Sequence, residues 1–430
     1  MTMEHRLALR NLLRNRRRSV LTALIVVATV ALMTIFQGLS EGGHKAMIDV
    51  GVRMGLGHLL VSERGYADNP GLDRLVANGE DLAAHLRAKL PQASHAVPRL
   101  RLNAMVQSGG NTVAVTASGV VPGLETQVSG IADHKAIVQG VPLDASAAHT
   151  PAGQLPPVVI GSRLARALGV GLDDRVTLTV KPATGQDFAR AAFRVAGIFH
   201  TGMVELDAFW VELPLAQAQR LARAGNGVSE IALYLHDQSG LDAALDSAAA
   251  ALRTLLPVEA KGQLLQVRRW NEAAPELYSA VMLDAAGMYL LMVIVMIVVA
   301  AGILNTIVMS VMKRAREFSV MLALGASPLL VTRVVLREAL YLAALSVVLG
   351  LALGYAAHLH FATEGLNFRE IFGTSLEAGG VLLPDRFYSY LQPQKLFAGA
   401  GFVFLLTVVV TVYPAYRAGR LSPLQSSQHG

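Results

Sequence analysis

The stretch AGILNTIVMSVMKRAREFSVMLALGASPLLVTRVVLREA, Ala301–Ala339, decides how this chain is organised. It begins in a long apolar helix and passes into a basic patch, Lys313–Glu317. The apolar segment that follows, Phe318–Ser327, is too short to cross a bilayer, which takes about 20 apolar residues. Hydrophobic sequence then resumes. This order predicts a membrane protein that presents a short amphipathic helix to a soluble partner on one side of the membrane.

The composition of the whole chain agrees with a membrane location. Hydrophobic residues make up 53% of the 430 residues, charged residues make up 16%, and the mean hydropathy is +0.44. Soluble domains carry about 25% charged residues. We therefore predict an α-helical membrane protein with four transmembrane helices and a large α+β extracytoplasmic domain inserted between helices 1 and 2. The predicted segments are spans over residues 19–40, 285–312, 331–357 and 396–416, with the inserted domain over 41–284.

Lysine and arginine side chains indicate which segments face the cytoplasm. They are concentrated in the N-terminal tail and in the connection between the second and third spans, whereas the connection between the third and fourth spans carries four acidic residues against three basic ones. Both termini are therefore predicted to be cytoplasmic, and the large domain is predicted to lie outside. The net charge of +6 is explained by these flanks, which attract anionic lipids, so we predict no nucleic-acid partner. The predicted cytoplasmic segments are residues 1–18, 313–330 and 417–430, and the second outer segment is residues 358–395.

The inserted domain has mixed polarity and predicts an α+β module. The Gly-rich turn Ser108–Asn111 separates two alternating segments and predicts a β-hairpin. Ser162 is expected to cap a helix. The Ala-, Pro- and Ser-rich stretch Pro142–Pro157 predicts a linker to an inserted second lobe, roughly residues 143–225. Further strands are predicted over residues 57–62, 175–180, 192–199 and 230–235.

The chain lacks several motifs that would indicate an enzyme. It contains no G-x-x-x-x-G-K-[ST] phosphate loop, no H-E-x-x-H and no cysteine. His358 and His360 lie close together at the end of the third span, but no third ligand lies near them in sequence. We interpret them as interfacial side chains rather than metal ligands. We predict a non-enzymatic chain with no catalytic residue, no metal site and no cofactor of its own.

Three residues within the spans are candidates for helix packing. Asn305 can hydrogen-bond to a neighbouring helix. Gly350 and Gly354 form a G-x-x-x-G pattern in the third span, which lets two helices approach closely. The two helices can belong to one chain or to two copies, and the sequence leaves both alternatives open.

Three segments resemble the MacB/FtsX-like permeases of ABC transporters, a group that includes macrolide exporters and lipoprotein-releasing permeases. ALRNLLRNRRRSVLTALIVV resembles the family's amphipathic N-terminal helix and first span. The family's second span and coupling segment resemble GILNTIVMSVMKRAREFSVMLALGAS. Its C-terminal motif resembles VYPAYRAGRLSPLQS. The resemblance covers nearly the whole chain and implies a location in the bacterial inner membrane. The chain carries no ATPase domain, so the resemblance implies a separate ABC ATPase subunit that binds ATP and Mg²⁺.

The resemblance also implies that the segment after the second span docks on the ATPase. Four apolar side chains would form the docking stripe, and the charged side chains before them would set its register. The alternative is a helix that lies on the membrane surface. The residues assigned to this coupling are Arg314, Arg316, Glu317, Phe318, Met321, Leu322, Leu324 and Gly325.

The remaining implied partners are a second permease, either a copy or a paralogue, and a periplasmic adaptor or carrier. The function that we expect is transport of an amphipathic substrate, such as a lipoprotein, a lipid or a hydrophobic compound, driven by mechanical transmission of ATPase motion. The alternative is a signalling module that drives a periplasmic enzyme or sensor. The length of the inserted domain favours transport, because a domain that only docks a partner would need fewer residues.

Overall fold

The structure is a computed structural model that describes residues 10, 16–133, 135–144, 147, 153–236, 241–255, 265–373, 377–378, 381–382 and 386–420. The chain forms two compact units. The first comprises the described residues of Met1–Lys45, Met282–Thr374 and Asp385–Gly430; the second comprises those of Ala46–Val281 and Ser375–Pro384. Most of the predicted segments 1–18 and 417–430 lies outside the described residues, as do parts of Pro142–Pro157 and of 358–395.

The described helices and strands follow one another along the chain in a clear order. The helices are α1 Arg16–Gly51, α2 Gly79–Lys89, α3 Pro122–Val128, α4 Ser162–Leu168, α5 Val204–Phe209, α6 Leu215–Ala222, α7 Leu241–Leu255, α8 Trp270–Ala273, α9 Pro275–Lys313, α10 Ala315–Ala323, α11 Pro328–Thr363, α12 Phe368–Phe372 and α13 Pro393–Ala418, with a π-helical turn at Val52–Leu56. The strands are β1 Leu59–Glu63, β2 Ala93–Ser108, β3 Asn111–Val120, β4 Ile137–Gly140, β5 Pro157–Gly161, β6 Arg175–Val180, β7 Ala189–Phe199, β8 Trp210–Pro214, β9 Glu230–Leu235, β10 Leu265–Arg269, β11 Leu366–Asn367, β12 Glu377–Ala378, β13 Val381–Leu382 and β14 Arg386–Phe387.

Four helices are long and apolar enough to cross a membrane, as the sequence predicts. They are Ser19–Leu56, which combines α1 and the π-helical turn, together with α9, α11 and α13. Each of these helices is longer than the membrane span predicted for it from the sequence. The 39 residues of α9 extend for about 58 Å at 1.5 Å per residue, against a hydrocarbon core of about 30 Å. The helix is therefore long enough to continue well beyond a bilayer.

Apolar side chains from all four long helices form the core of the first unit. Because lipid is as apolar as these side chains, close packing rather than water exclusion holds such helices together. The buried members of this core are Val26, Val30, Met33, Met296, Ile303, Val347, Ala400 and Val403.

A mixed ten-stranded sheet organises the second unit. Its order is β10-β1-β9-β2-β3-β8-β5-β7-β4, and β6 pairs with both β2 and β7. The pairs β3–β8 and β5–β7 are parallel, and the remaining pairs are antiparallel. The hairpin predicted at Ser108–Asn111 is confirmed, because β2 and β3 pair from Arg99↔Val120 to Ser108↔Asn111. The mixed sheet with its helices agrees with the predicted α+β character.

Two expectations for this unit differ from the structure. The predicted second lobe shares one sheet with the first, because β8 pairs with β3 and β6 pairs with β2. The expected cap by Ser162 is wrong. Gly161 is the N-cap residue of α4, and the Ser162 Oγ lies 3.1 Å from the His200 Nδ1 instead of capping the helix.

Candidate functional site

The short helix α10 is joined to α11 by a turn, Leu324–Ser327, that caps both helices. Its C-terminal end is closed by two backbone bonds, from the Gly325 N–H to the Leu322 carbonyl and from the Ala326 N–H to the Met321 carbonyl. Gly325 has φ +93°, a conformation that glycine adopts without a Cβ clash. Ser327 then caps α11, because its side chain accepts the Leu330 N–H. The chain therefore ends α10 at Ala323 and begins α11 at Pro328, with both helix ends capped.

Arg314 anchors the start of α10. Its side chain is buried and donates to the Glu338 carboxylate at 2.8 Å and to the Glu317 carboxylate at 3.3 Å. The guanidinium also lies 4.8 Å from the centre of the Phe318 ring, within cation–π range. Arg314 is therefore bound within its own chain, whereas Arg316 is exposed.

The apolar side chains of α10 do not form the single docking stripe that the sequence predicts. Phe318 is fully buried in a core formed with Val311, Val331, Val335, Ala415 and Ala418. Met321 and Leu322 are half-buried against that core. Leu324, in contrast, is 84% exposed. The correction has a simple cause: packing against α9, α11 and α13 turns the Phe318 face of α10 inward.

Three large apolar side chains remain exposed around the same turn. Val320 is 53% exposed, Leu324 84% and Leu329 65%. We name these three residues the coupling patch. Arg316 and Glu317 are exposed beside it.

The small residues of the third span pack within the chain. A Cβ at Gly350 would lie 2.7 Å from the Val30 Cβ, and a Cβ at Gly354 would lie 2.7 Å from the Thr34 Cβ. Both distances are far below a van der Waals contact, so these glycines let α11 and α1 approach closely. Of the two alternatives, the structure favours packing within one chain. Asn305 behaves differently, since it is exposed on α9.

The histidines give no sign of a metal site within the described ranges. No group of three His, Cys, Asp or Glu side chains there could hold a metal ion. The His358 Nδ1 is hydrogen-bonded to the Ser389 Oγ at 2.8 Å, and His360 is exposed.

A serine, a histidine and an aspartate meet in the second unit, but not as a catalytic triad. The Ser162 Oγ and the Asp207 Oδ2 both approach the Nδ1 of His200, at 3.1 and 2.6 Å. A triad requires the two partners on different ring nitrogens. Asp207 is fully buried and also accepts bonds from the N–H and hydroxyl of Thr201. The cluster therefore fixes a turn.

A buried charged network in the second unit was not predicted from the sequence. Arg99 donates to both oxygens of Glu125, at 3.0 and 2.6 Å, to the Tyr234 hydroxyl at 2.8 Å and to the Gly55 carbonyl at 2.6 Å. Burial and the neighbouring Glu125 raise the pKa of Glu212 to about 8, while Arg99 opposes the shift. Burial therefore favours the protonated form of Glu212 in the folded state. The sequence signal is the repeated arginine in β2, a strand buried on both faces at this point.

Comparisons with known proteins show the family of this chain. Residues 19–251 match the model of the MacB-like periplasmic core domain, and residues 289–423 match that of the FtsX-like permease C-terminal region. The chain belongs to the FtsX-like permeases that carry a MacB-like periplasmic core domain. Such permeases are components of ABC transporters, a non-catalytic kind of subunit.

The similar proteins include permeases and a periplasmic domain. The chain is 26% identical to the lipoprotein-releasing system transmembrane protein LolE of Haemophilus influenzae, over 78% of this chain and 77% of that protein. It is 22% identical to the corresponding LolC of Neisseria meningitidis, over 95% and 92%. The periplasmic region of MacB from Actinobacillus actinomycetemcomitans is 14% identical with a TM-score of 0.38, over 51% of this chain and 92% of that one.

Proposed function

We propose that this chain is the permease subunit of an ABC transporter that releases or exports an amphipathic substrate, and a lipoprotein above all. ATP would be hydrolysed on a separate ATPase subunit, and the motion would be transmitted through this chain to its periplasmic domain. The family supports the permease role. The names of the two relatives, both lipoprotein-releasing system transmembrane proteins, support the substrate class.

The observation that carries the coupling role is the coupling patch. Val320, Leu324 and Leu329 are large apolar side chains exposed at a tight turn between two helices. The turn itself is held rigidly, since Arg314 and Phe318 are buried beneath it. An apolar patch on a fixed turn suits insertion into a groove on a partner protein. The partner in this proposal is the ATPase, and the exposed Arg316 and Glu317 set the register.

The core beneath α10 offers a route by which motion of the ATPase could pass through the first unit. Phe318 belongs to one buried core with residues of three helices, among them Val311 of α9, Val331 of α11 and Ala415 of α13. Packed cores shift as units rather than deform continuously. A push on α10 would therefore move the ends of these three helices together.

A second permease in the complex explains the surroundings of Asn305. This side chain is exposed on α9, and Ile303 is the only buried side chain between residues 297 and 310. A polar side chain facing hydrocarbon is unfavourable, whereas a hydrogen bond to another helix contributes about 0.6–2 kcal/mol. We propose that a helix of a second permease, either a copy or a paralogue, covers this face.

The experiment that tests the proposed function is uncoupling by Leu324→Asp. A charge on the coupling patch would have to be buried unpaired in the interface, which weakens docking strongly. The complex is purified through this chain, and the co-purified ATPase, ATP hydrolysis and release of lipidated protein from membrane vesicles are measured. We expect loss of the ATPase, or hydrolysis without release. Leu322→Asp, at a half-buried position, should act in the same direction.

Leu172→Asp is the matched control, because Leu172 is an exposed leucine of the second unit. This variant should still co-purify with the ATPase and should still release lipidated protein. If Leu324→Asp retains full binding and full release, the coupling patch has no part in the mechanism.

A further inference from the structure

The second unit contains a large cavity where the central strand β2 changes its neighbours. Strand β9 pairs with β2 up to Arg99, and β6 begins to pair at Ala104. No described strand pairs with this edge of β2 between those positions, at Leu100–Asn103. The cavity at this gap measures about 790 Å³, which falls within the usual size of small-molecule sites, about 300–1,000 Å³.

The polar lining of the cavity carries more positive than negative charge. Arg101 is paired with Glu230 at 2.6 Å, and its guanidinium lies 5.2 Å from the centre of the Trp210 ring. Arg268 and Lys181 have no carboxylate within ion-pair distance among the described residues, and the Arg268 side chain donates a hydrogen bond to the Ser62 Oγ at 3.5 Å. A second carboxylate, Asp73, also lines the cavity and lies 3.8 Å from the Arg74 guanidinium. Three cations and two carboxylates therefore surround the space, and two of these cations have no ion-pair partner among the described residues.

The remaining lining combines apolar and polar side chains. Its leucines are Leu56 and Leu72, which are partly exposed, and Leu60 and Leu102, which are almost completely buried. Trp210 and several alanine and proline residues complete the apolar part, and Tyr66, Asn103 and Thr116 add polar groups. Apolar walls favour a hydrocarbon group, and cations that lack an internal partner favour an acidic group. Together these features select one ligand chemistry.

We propose that this cavity binds an anionic amphiphile. The acidic group lies against Arg268 and Lys181, and the hydrocarbon chain lies along the leucines. A fatty-acid carboxylate and a lipid phosphate share this chemistry. The site belongs to the second unit alone and does not depend on ATPase coupling.

The chain supplies its own reporter for a binding experiment. It has two tryptophans, Trp210 in the cavity lining and Trp270 outside it. In Trp270→Phe, the fluorescence of the full chain in phosphatidylcholine nanodiscs reports on Trp210. The probes are dodecanoate, dodecyl phosphate, uncharged dodecyl maltoside and inorganic phosphate.

We expect a saturable change with dodecanoate, dodecyl phosphate or both, and the more effective probe identifies the acid. Dodecyl maltoside and inorganic phosphate should give no saturable change. Lys181→Gln together with Arg268→Gln should weaken binding about tenfold or more, the effect of losing charge-assisted bonds. Lys181→Gln alone, at an exposed position, should weaken it less without affecting folding.

Arg175→Gln is the matched control, because Arg175 is an exposed cation at the other end of β6. It should leave the affinity unchanged. Equal binding of the uncharged and anionic probes would overturn the proposal, as would unchanged affinity in the double variant or a response to inorganic phosphate alone.

Discussion

The Arg314 guanidinium lies 2.8 Å from the Glu338 carboxylate, and this ion pair joins the start of α10 to α11. Both side chains are largely shielded from solvent, with 10% and 15% of their side-chain surfaces exposed. An ion pair in such surroundings holds a geometry more firmly than one on the open surface. The basic patch that the sequence suggests for partner contact is therefore divided: Arg314 holds the turn, and Arg316 remains exposed beside the coupling patch.

Glu338→Gln should destabilise the first unit, because it leaves Arg314 without its closest carboxylate. The expected cost is on the order of 2 kcal/mol, between the values for exposed and fully buried pairs. Glu317→Gln is the control, since Glu317 is more exposed and lies farther from Arg314, at 3.3 Å. Thermal unfolding of the purified chain in detergent should show a larger loss for Glu338→Gln. Equal midpoints for both variants and the wild type would mean that the pair does not hold the turn.

Gly350→Ala and Gly354→Ala should each lower the thermal stability of the first unit. A Cβ at either position collides with α1, and overpacking of this kind typically costs about 1–3 kcal/mol. Gly302→Ala in α9 is the matched control, because nothing lies within 4 Å of the added Cβ. Fluorescence-detected gel filtration after heating measures all three. A loss for Gly302→Ala equal to that for Gly350→Ala would contradict packing of α11 against α1.

The second unit should become less stable as the pH rises, because of Glu212. Its folded pKa is raised to about 8 from a reference value of 4.5. Between these values the folded state holds a proton that the unfolded state releases, so stability falls with rising pH and levels off above about pH 8. Glu212→Gln cannot ionise, so its stability relative to the wild type should rise over this range.

Melting curves from about pH 5 to about pH 9 test this linkage. Glu205→Gln is the control, since Glu205 is exposed, and its curve should run parallel to that of the wild type. If the Glu212→Gln curve also runs parallel, the folded carboxyl is ionised throughout.

Local patterns predict much of this fold. The four spans follow from apolar length, and the β2–β3 hairpin follows from a Gly-rich turn between alternating segments. Both signals lie within one continuous stretch of sequence. The family resemblance likewise rests on continuous motifs.

Contacts between distant residues were not predictable in the same way. Arg99 and Glu125 meet across 26 positions, and the cavity beside Arg101 exists because two partner strands of β2 diverge. The position of Phe318 could not be predicted from the sequence for the same reason. The amphipathic pattern of α10 predicts an apolar face, but only tertiary packing determines whether that face contacts its own chain or a partner.

Labelling of single cysteines should show that the second unit and the coupling patch face opposite sides of the membrane. The expectation rests on the distribution of lysine and arginine. The chain has no cysteine, so each introduced thiol is unique. Gln186→Cys, at an exposed position, should react with a membrane-impermeant maleimide once the outer membrane is opened. Lys313→Cys, at an exposed position outside the coupling patch, should react only after the inner membrane is permeabilised, and the reverse pattern would invert the proposed orientation.

Cross-linking from the coupling patch tests whether this turn docks on an ATPase. Leu324→Cys carries a photoactivatable maleimide in the native membrane, and the cross-linked partner is identified by mass spectrometry. Leu345→Cys is the control, because it is an exposed leucine in the membrane-spanning helix α11. We expect an ABC ATPase to be cross-linked through Leu324→Cys and not through Leu345→Cys. No ATPase adduct from Leu324→Cys, in membranes where the complex is intact and active, would contradict this expectation.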